Sequence, residues 1–229
     1  MNGINVSILR AITTRQKRLT IRNKQLRHLT NSVGFLDWLV VLDLRSNNLS
    51  TLPILLPRNL EVINLGNNVF TDIPEAVYEL TLLKSISIYN NRLQSIPSLL
   101  FGKDLVSLKY LSMSHNALKA LPDSIVSNAD SHLEYLNLGY NQILILPFNI
   151  HRLQRMKTLI LHKNFLSRLP EVGNSASKTF ISQNNQVMKC KNLLLLGKKG
   201  SEILYPLRNV FCSYQCLKAT DNCYGLAIA

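Results

Sequence analysis

Six stretches of this chain obey one template. "LVVLDLRSNNLSTLP" (Leu39–Pro53) is followed 21 residues later by "LEVINLGNNVFTDIP" (Leu60–Pro74). Then come "LKSISIYNNRLQSIP", "LKYLSMSHNALKALP", "LEYLNLGYNQILILP" and "MKTLILHKNFLSRLP". The copies align on Asn47, Asn68, Asn91, Asn116, Asn141 and Asn164, in steps of 21, 23, 25, 25 and 23 residues, and each closes on Leu-Pro or Ile-Pro. Such self-similarity constrains the fold more than composition does, because a unit this short cannot bury its apolar face alone.

Each fixed position has a physical role. The alternation x-L-x-L-x makes a short strand with one buried face. Consecutive strands stack in parallel to share that core. The Asn stands where the chain turns away from the sheet, and its amide both donates and accepts, so it can pair backbone groups the turn would strand. The Pro opens the return segment where a missing N–H costs little. In "PEAVYELTLL" and "PFNIHRLQRM" the apolar Val77, Leu80, Ile150 and Leu153 are predicted to point inward from short helical or 3-10 turns.

The ends are degenerate. Leu19–Leu29 fits the strand pattern, with Lys24 in the Asn slot and Gln16 in a core slot. Phe180–Cys190 fits with Asn185, Val187 and Cys190, while Ser177 and Ser182 replace Leu. Terminal coils trade core residues for polar cover, so the expectation is eight coils, six of them regular.

The template LxxLxLxxNxLxxLP over residues 39–170 resembles typical intracellular leucine-rich repeats of the Ras-suppressor kind. The resemblance implies an α/β fold, a leucine-rich repeat solenoid or horseshoe with a concave parallel β-sheet and short helical or 3-10 convex segments. It also implies a protein-binding scaffold without catalytic activity. Three parts are expected: 1–36, a basic N-terminal cap with a degenerate first repeat; 37–188, the repeats; and 189–229, a Cys-containing C-terminal cap or tail.

Charge is unevenly placed within the net +13. Residues 1–36 hold seven Lys/Arg and no acid, residues 172–229 hold seven against Glu202 and Asp221, and the body between is nearly neutral. Fixing the register predicts the outward side chains of the concave face. Tyr89, Tyr110, Tyr135 and Tyr140 fall on adjacent coils with His115, His162 and Lys163 beside them, and Arg18, Arg22 and Arg45 form a basic strip on the first coils. Tyr suits a partner site because it is large, has few torsions to freeze and keeps a polar tip. Strand positions also favour Tyr for propensity alone.

The chemistry of an enzyme is not expected. No nucleophile elbow or phosphate loop is present, and the five His make no metal pair on one helix. Cys190, Cys212, Cys216 and Cys223 include three at Cys-x3-Cys-x6-Cys spacing, but no fourth zinc ligand lies near, and packing in a C-terminal cap is the simpler role. No cofactor or metal is therefore expected. The N-terminus lacks the apolar run of a secretory signal, and aliphatic runs such as Leu193–Leu196 are too short to span a bilayer. The expected protein is a cytoplasmic monomer, with the nucleus as an alternative location, that binds protein partners, including acidic segments, in signalling or assembly. The competing reading is binding of nucleic acid or anionic membrane through the basic termini.

Overall fold

Alternating apolar residues recur once per coil, and each recurrence is a strand of three residues. In the computed structural model, which describes residues 3–102, 105–127, 132–166 and 179–181, these are β1 Arg18–Thr20, β2 Val41–Asp43, β3 Val62–Asn64, β4 Ser85–Ser87, β5 Tyr110–Ser112, β6 Tyr135–Asn137, β7 Thr158–Ile160 and β8 Thr179–Ile181. They lie in chain order in one open sheet, every neighbouring pair parallel. Leu19, Leu42, Ile63, Ile86, Leu111, Leu136 and Leu159 stand in register at the strand centres and are all buried. Two residues on, Ile21, Leu44, Leu65, Ile88, Met113, Leu138 and Leu161 form a second buried row. The predicted solenoid and its register are therefore observed.

The Asn of each repeat ties its coil to the one before. Asn141 Nδ2 donates to Met113 O (3.0 Å) and Leu138 O (2.9 Å), and its Oδ1 accepts from Leu118 N (3.1 Å). Asn68, Asn91, Asn116 and Asn164 repeat the same three bonds in their own coils. Asn47 does so against the first coil, donating to Ile21 O and Leu44 O and accepting from Leu26 N. Lys24 holds the equivalent slot in the first coil, where no earlier coil needs bridging, and it is exposed.

The return segments follow from the Pro. Pro74, Pro97, Pro122 and Pro147 each offer a carbonyl to the N–H three residues on (3.0 to 3.2 Å), which starts a tight turn. The turns are 3-10 at Glu75–Val77, Ser98–Phe101 and Ile150–Arg152, and a single α-helical turn at Ser124–Ser127. Val77, Leu80, Ile150 and Leu153 are buried beneath them as predicted. The coil of β2 has the 21-residue step and carries "LPILLP", whose second proline, Pro57, replaces the helical turn.

Residues 1–36, expected as a basic cap with a degenerate first repeat, carry a helix ahead of β1. This helix, α1, Gly3–Thr14, lies against β1 and places Ala11 in the core. Arg15, just past the helix, sets its guanidinium 5.7 Å from the ring centre of Trp38. The segment 189–229, with all four Cys, lies outside the described residues.

Candidate functional site

Residues flanking each strand-centre Leu face away from the core, so the register decides which side chains meet on the open face. Tyr110 and Tyr135 are directly paired across β5 and β6, with ring centroids 6.3 Å apart. Tyr89 does not join them. Its ring lies over Gly66 of the preceding coil, and its hydroxyl accepts from Asn67 Nδ2 at 3.3 Å.

Past each strand the ladder continues, with His115 N–H to Gly139 O and Tyr140 N–H to His162 O both at 2.9 Å. There the backbone enters the left-handed region, at φ 53° for Asn23, 57° for Ser46, 55° for Asn67, 50° for Asn90 and 55° for each of His115, Tyr140 and Lys163. Short polar side chains suit this conformation, and a bulky one raises its cost to about 1 kcal/mol. The coils of β3 and β4 place Asn here, whereas those of β5, β6 and β7 place His, Tyr and Lys.

These substituted positions make a second aromatic group. His115 stacks on Tyr140 with centroids 4.0 Å apart and planes 13° apart, and His162 meets the Tyr140 ring edge-on at 4.9 Å. His162 reaches this place because Gly139 lies beneath it; a Cβ at Gly139 would stand 2.7 Å from His162 Cε1. Asn137 fixes that glycine by accepting its N–H at 3.0 Å, as Asn64 accepts from Gly66 at 3.2 Å. His162 Nδ1 is buried without a hydrogen-bond partner. Burial first, then the nearby His115 and Lys163, hold the His162 pKa below its ordinary value. Gly139→Ala is expected to push the imidazole off Tyr140 at about 1–2 kcal/mol of stability. NMR would report it as loss of the ring-current shift on the His162 protons.

The predicted aromatic site is thus three groups. The Tyr110–Tyr135 pair stands at the start of β5 and β6, and the His115–Tyr140–His162 cluster lies beyond the ends of those strands. The glycine-supported rings were not read from the sequence, although the twin "NLGN" and "NLGY" motifs mark them.

The basic strip is partly neutralised. Arg22 and Arg45 both bind Asp43, whose carboxylate is buried; Arg45 does so through Nε at 3.1 Å and Nη2 at 3.0 Å. Glu61 pairs with Lys84 at 2.9 Å, and Glu134 pairs with Lys157 at 2.6 Å and Lys109 at 3.9 Å. Asp43 in β2, Glu61 just before β3 and Glu134 just before β6 are thus each paired to a cation. Arg18 and Lys163 have no anionic partner among the described residues. No group of three or more His, Cys, Asp or Glu is placed to hold a metal among the described residues.

Residues 81–143 match the family model described as Leucine rich repeat. A 58-residue stretch is 43% identical to human oligodendrocyte-myelin glycoprotein and 41% identical to the mouse protein, which is 25% of this chain and 13% of each of those. The chain thus spans only a small part of the relatives it matches. The Shigella effector LRR domain is similar with TM-score 0.69 and 19% identity, over 93% of this chain and 89% of that one, a likeness of fold alone. The PEPR1–AtPEP1 structure is similar with TM-score 0.58 and 28% identity, over 72% of this chain and 25% of that one.

Proposed function

Because the chain is a leucine-rich repeat protein, we propose that it is a non-catalytic scaffold or adaptor that captures protein partners on the open face of its sheet, in intracellular signalling or assembly. Leucine-rich repeat folds mediate protein–protein interaction, and stacked coils give a preformed surface with little to order on binding. One observation carries the placement of the site. Strand propensity accounts for Tyr110 and Tyr135, but not for Tyr140 and Lys163 in a left-handed turn that favours Asn, Asp and His. His115, Tyr140 and Lys163 occupy that turn where neighbouring coils use Asn or Ser. Strain held on an open surface, in side chains that then stack on one another, is a mark of a working surface.

Tyr140→Asn tests this directly. The substitution is expected to raise the unfolding free energy by about 0.5–1 kcal/mol, since Asn relieves the turn. It is also expected to weaken partner capture about tenfold or more, as loss of a Tyr hot spot does. Urea unfolding and affinity capture from a cell lysate read the two effects. A more stable variant that retains full capture would remove the cluster from the site.

The cytoplasmic location, with the nucleus as alternative, and the monomeric state belong to the same proposal. No helix among the described residues is long and apolar enough to cross a membrane. Asp43 engages two of the three arginines of the N-terminal strip, which weakens the reading in which that strip draws nucleic acid or lipid by charge alone. Binding through that strip by charge alone falls steeply with added salt and does not depend on Tyr140, whereas capture on the open face is lost with Tyr140.

A further inference from the structure

The open face has an electrostatic asymmetry that its composition conceals. Asp43, Glu61 and Glu134 on or beside its strands are engaged by neighbouring cations, while Arg18 and Lys163 have no anionic partner among the described residues. A partner rich in Lys or Arg would find these three carboxylates already engaged. A partner carrying Asp or Glu meets Lys163 and two imidazoles that become cations on protonation. The charge complementarity therefore selects an acidic segment.

We propose that His115, Tyr140, His162 and Lys163 grip the carboxylates of an acidic, extended protein segment, with capture strengthened as His162 takes up a proton. The inference rests on the sheet-face reading above and adds to it the partner's chemistry and its regulation. Two contacts give the geometry. The His115 ring lies flat against the face of Tyr140, and the His162 ring stands nearly perpendicular to the same ring, so one aromatic side chain holds both imidazoles beside Lys163.

Burial opposes the protonation of His162 most, and among the described residues His115 and Lys163 beside it oppose it further. The group facing His115 from the next coil is Tyr140, and the equivalent position in the preceding coil holds the uncharged Asn90. In the free protein the His162 pKa is depressed, so its neutral form stabilises the fold above the ordinary histidine value. That contribution is lost as pH falls through the folded pKa. A bound carboxylate reverses the opposition, so binding takes up protons and tightens on acidification.

The experiment uses the full chain and a fluorescein-labelled peptide of alternating Glu and Ser, with an alternating Gln and Ser peptide and a homopolymeric RNA as comparisons, followed by anisotropy from pH 7.8 to 6.0 at constant ionic strength. The Glu peptide is expected to bind about fivefold more tightly at the lower pH. The double variant His115→Asn and His162→Gln is expected to bind with a flat pH profile. Asn suits the left-handed turn, so loss of fold does not confound the result, and circular dichroism checks this. Equal binding of the Glu and Gln peptides, or a pH response that survives in the double variant, overturns the inference. So does RNA binding of equal strength with the same histidine dependence, which would assign the cluster to phosphate. Lysate capture lost in Tyr140→Asn reports separately on the sheet-face reading, so either can fail without the other.

Discussion

Asn141→Ala is expected to lower the unfolding free energy by about 3 kcal/mol. The side chain is buried and joins two coils: it donates to Met113 O and Leu138 O and accepts from Leu118 N. Removing it strands three backbone groups, each carrying a desolvation penalty of about 1–3 kcal/mol, offset in part where water enters. Gln142→Ala, one residue on and exposed, is the control and is expected to stay within about 0.5 kcal/mol. Asn141→Asp separates the bonds further. It keeps an acceptor for Leu118 N–H but turns an anion towards two carbonyls. Its carboxyl pKa should therefore rise above the unfolded value, and its stability deficit should shrink as pH falls through that raised pKa, where a regained O–H serves one carbonyl. Urea unfolding at pH 7 and pH 4 measures both effects, with the wild type at each pH as reference. A cost for Asn141→Ala no larger than that of Gln142→Ala would mean that the asparagine ladder does not hold the coils together.

That ladder was legible in the sequence because one side chain is required at the same place in every coil. The same holds for Leu42, Ile63, Ile86, Leu111, Leu136 and Leu159, whose register followed from the repeat alone. Features that occur once were harder to read. The helix Gly3–Thr14 belongs to no repeat and was folded into a generic cap, although residues 4–14 are free of Gly and Pro and carry Ile8, Leu9, Ala11 and Ile12 at helical spacing. The segment 189–229 had no repeat to anchor it either.

The site was legible residue by residue but not as an arrangement. Listing outward positions brought Tyr89, Tyr110, Tyr135 and Tyr140 onto adjacent coils, which is correct. Their place along the strand matters as much as the coil number, and it puts Tyr140 with His115 and His162 instead of with Tyr110. Alternation also stops being a guide at the left-handed residue, where the chain leaves the extended conformation and a bulky side chain changes meaning. The pairing within the arginine strip was hidden for a related reason. Arg22 and Arg45 share one repeat position and Asp43 holds another, yet the sheet places the carboxylate of one coil between guanidinium groups of two.

Phe70→Ala is expected to cost about 4 kcal/mol, and its effect should be confined in space. Phe70 fills, fully buried, the slot that Leu49, Leu93, Leu118, Ile143 and Leu166 occupy in other coils. Truncation removes most of a large ring and leaves a cavity, the costliest kind of core change. Phe70→Leu restores the common residue of the slot and is expected to cost only about 1 kcal/mol. The backbone of this residue also joins the next coil, donating to Asn91 Oδ1 at 3.0 Å and accepting from Arg92 N at 2.8 Å, so the loosened region should spread from β3 to β4. A stacked array couples each coil chiefly to its neighbours, so the disturbance should fade within a few coils. Amide exchange in Phe70→Ala should accelerate at β2 to β4 while β6 and β7 keep their protection, and capture dependent on Tyr140 should survive below the global unfolding transition. Uniform acceleration across all the strands would mean that the array opens as one unit. The surface around Tyr140 would then be only as rigid as the weakest coil, and its strained turn would owe its persistence to the whole stack instead of to β5, β6 and β7.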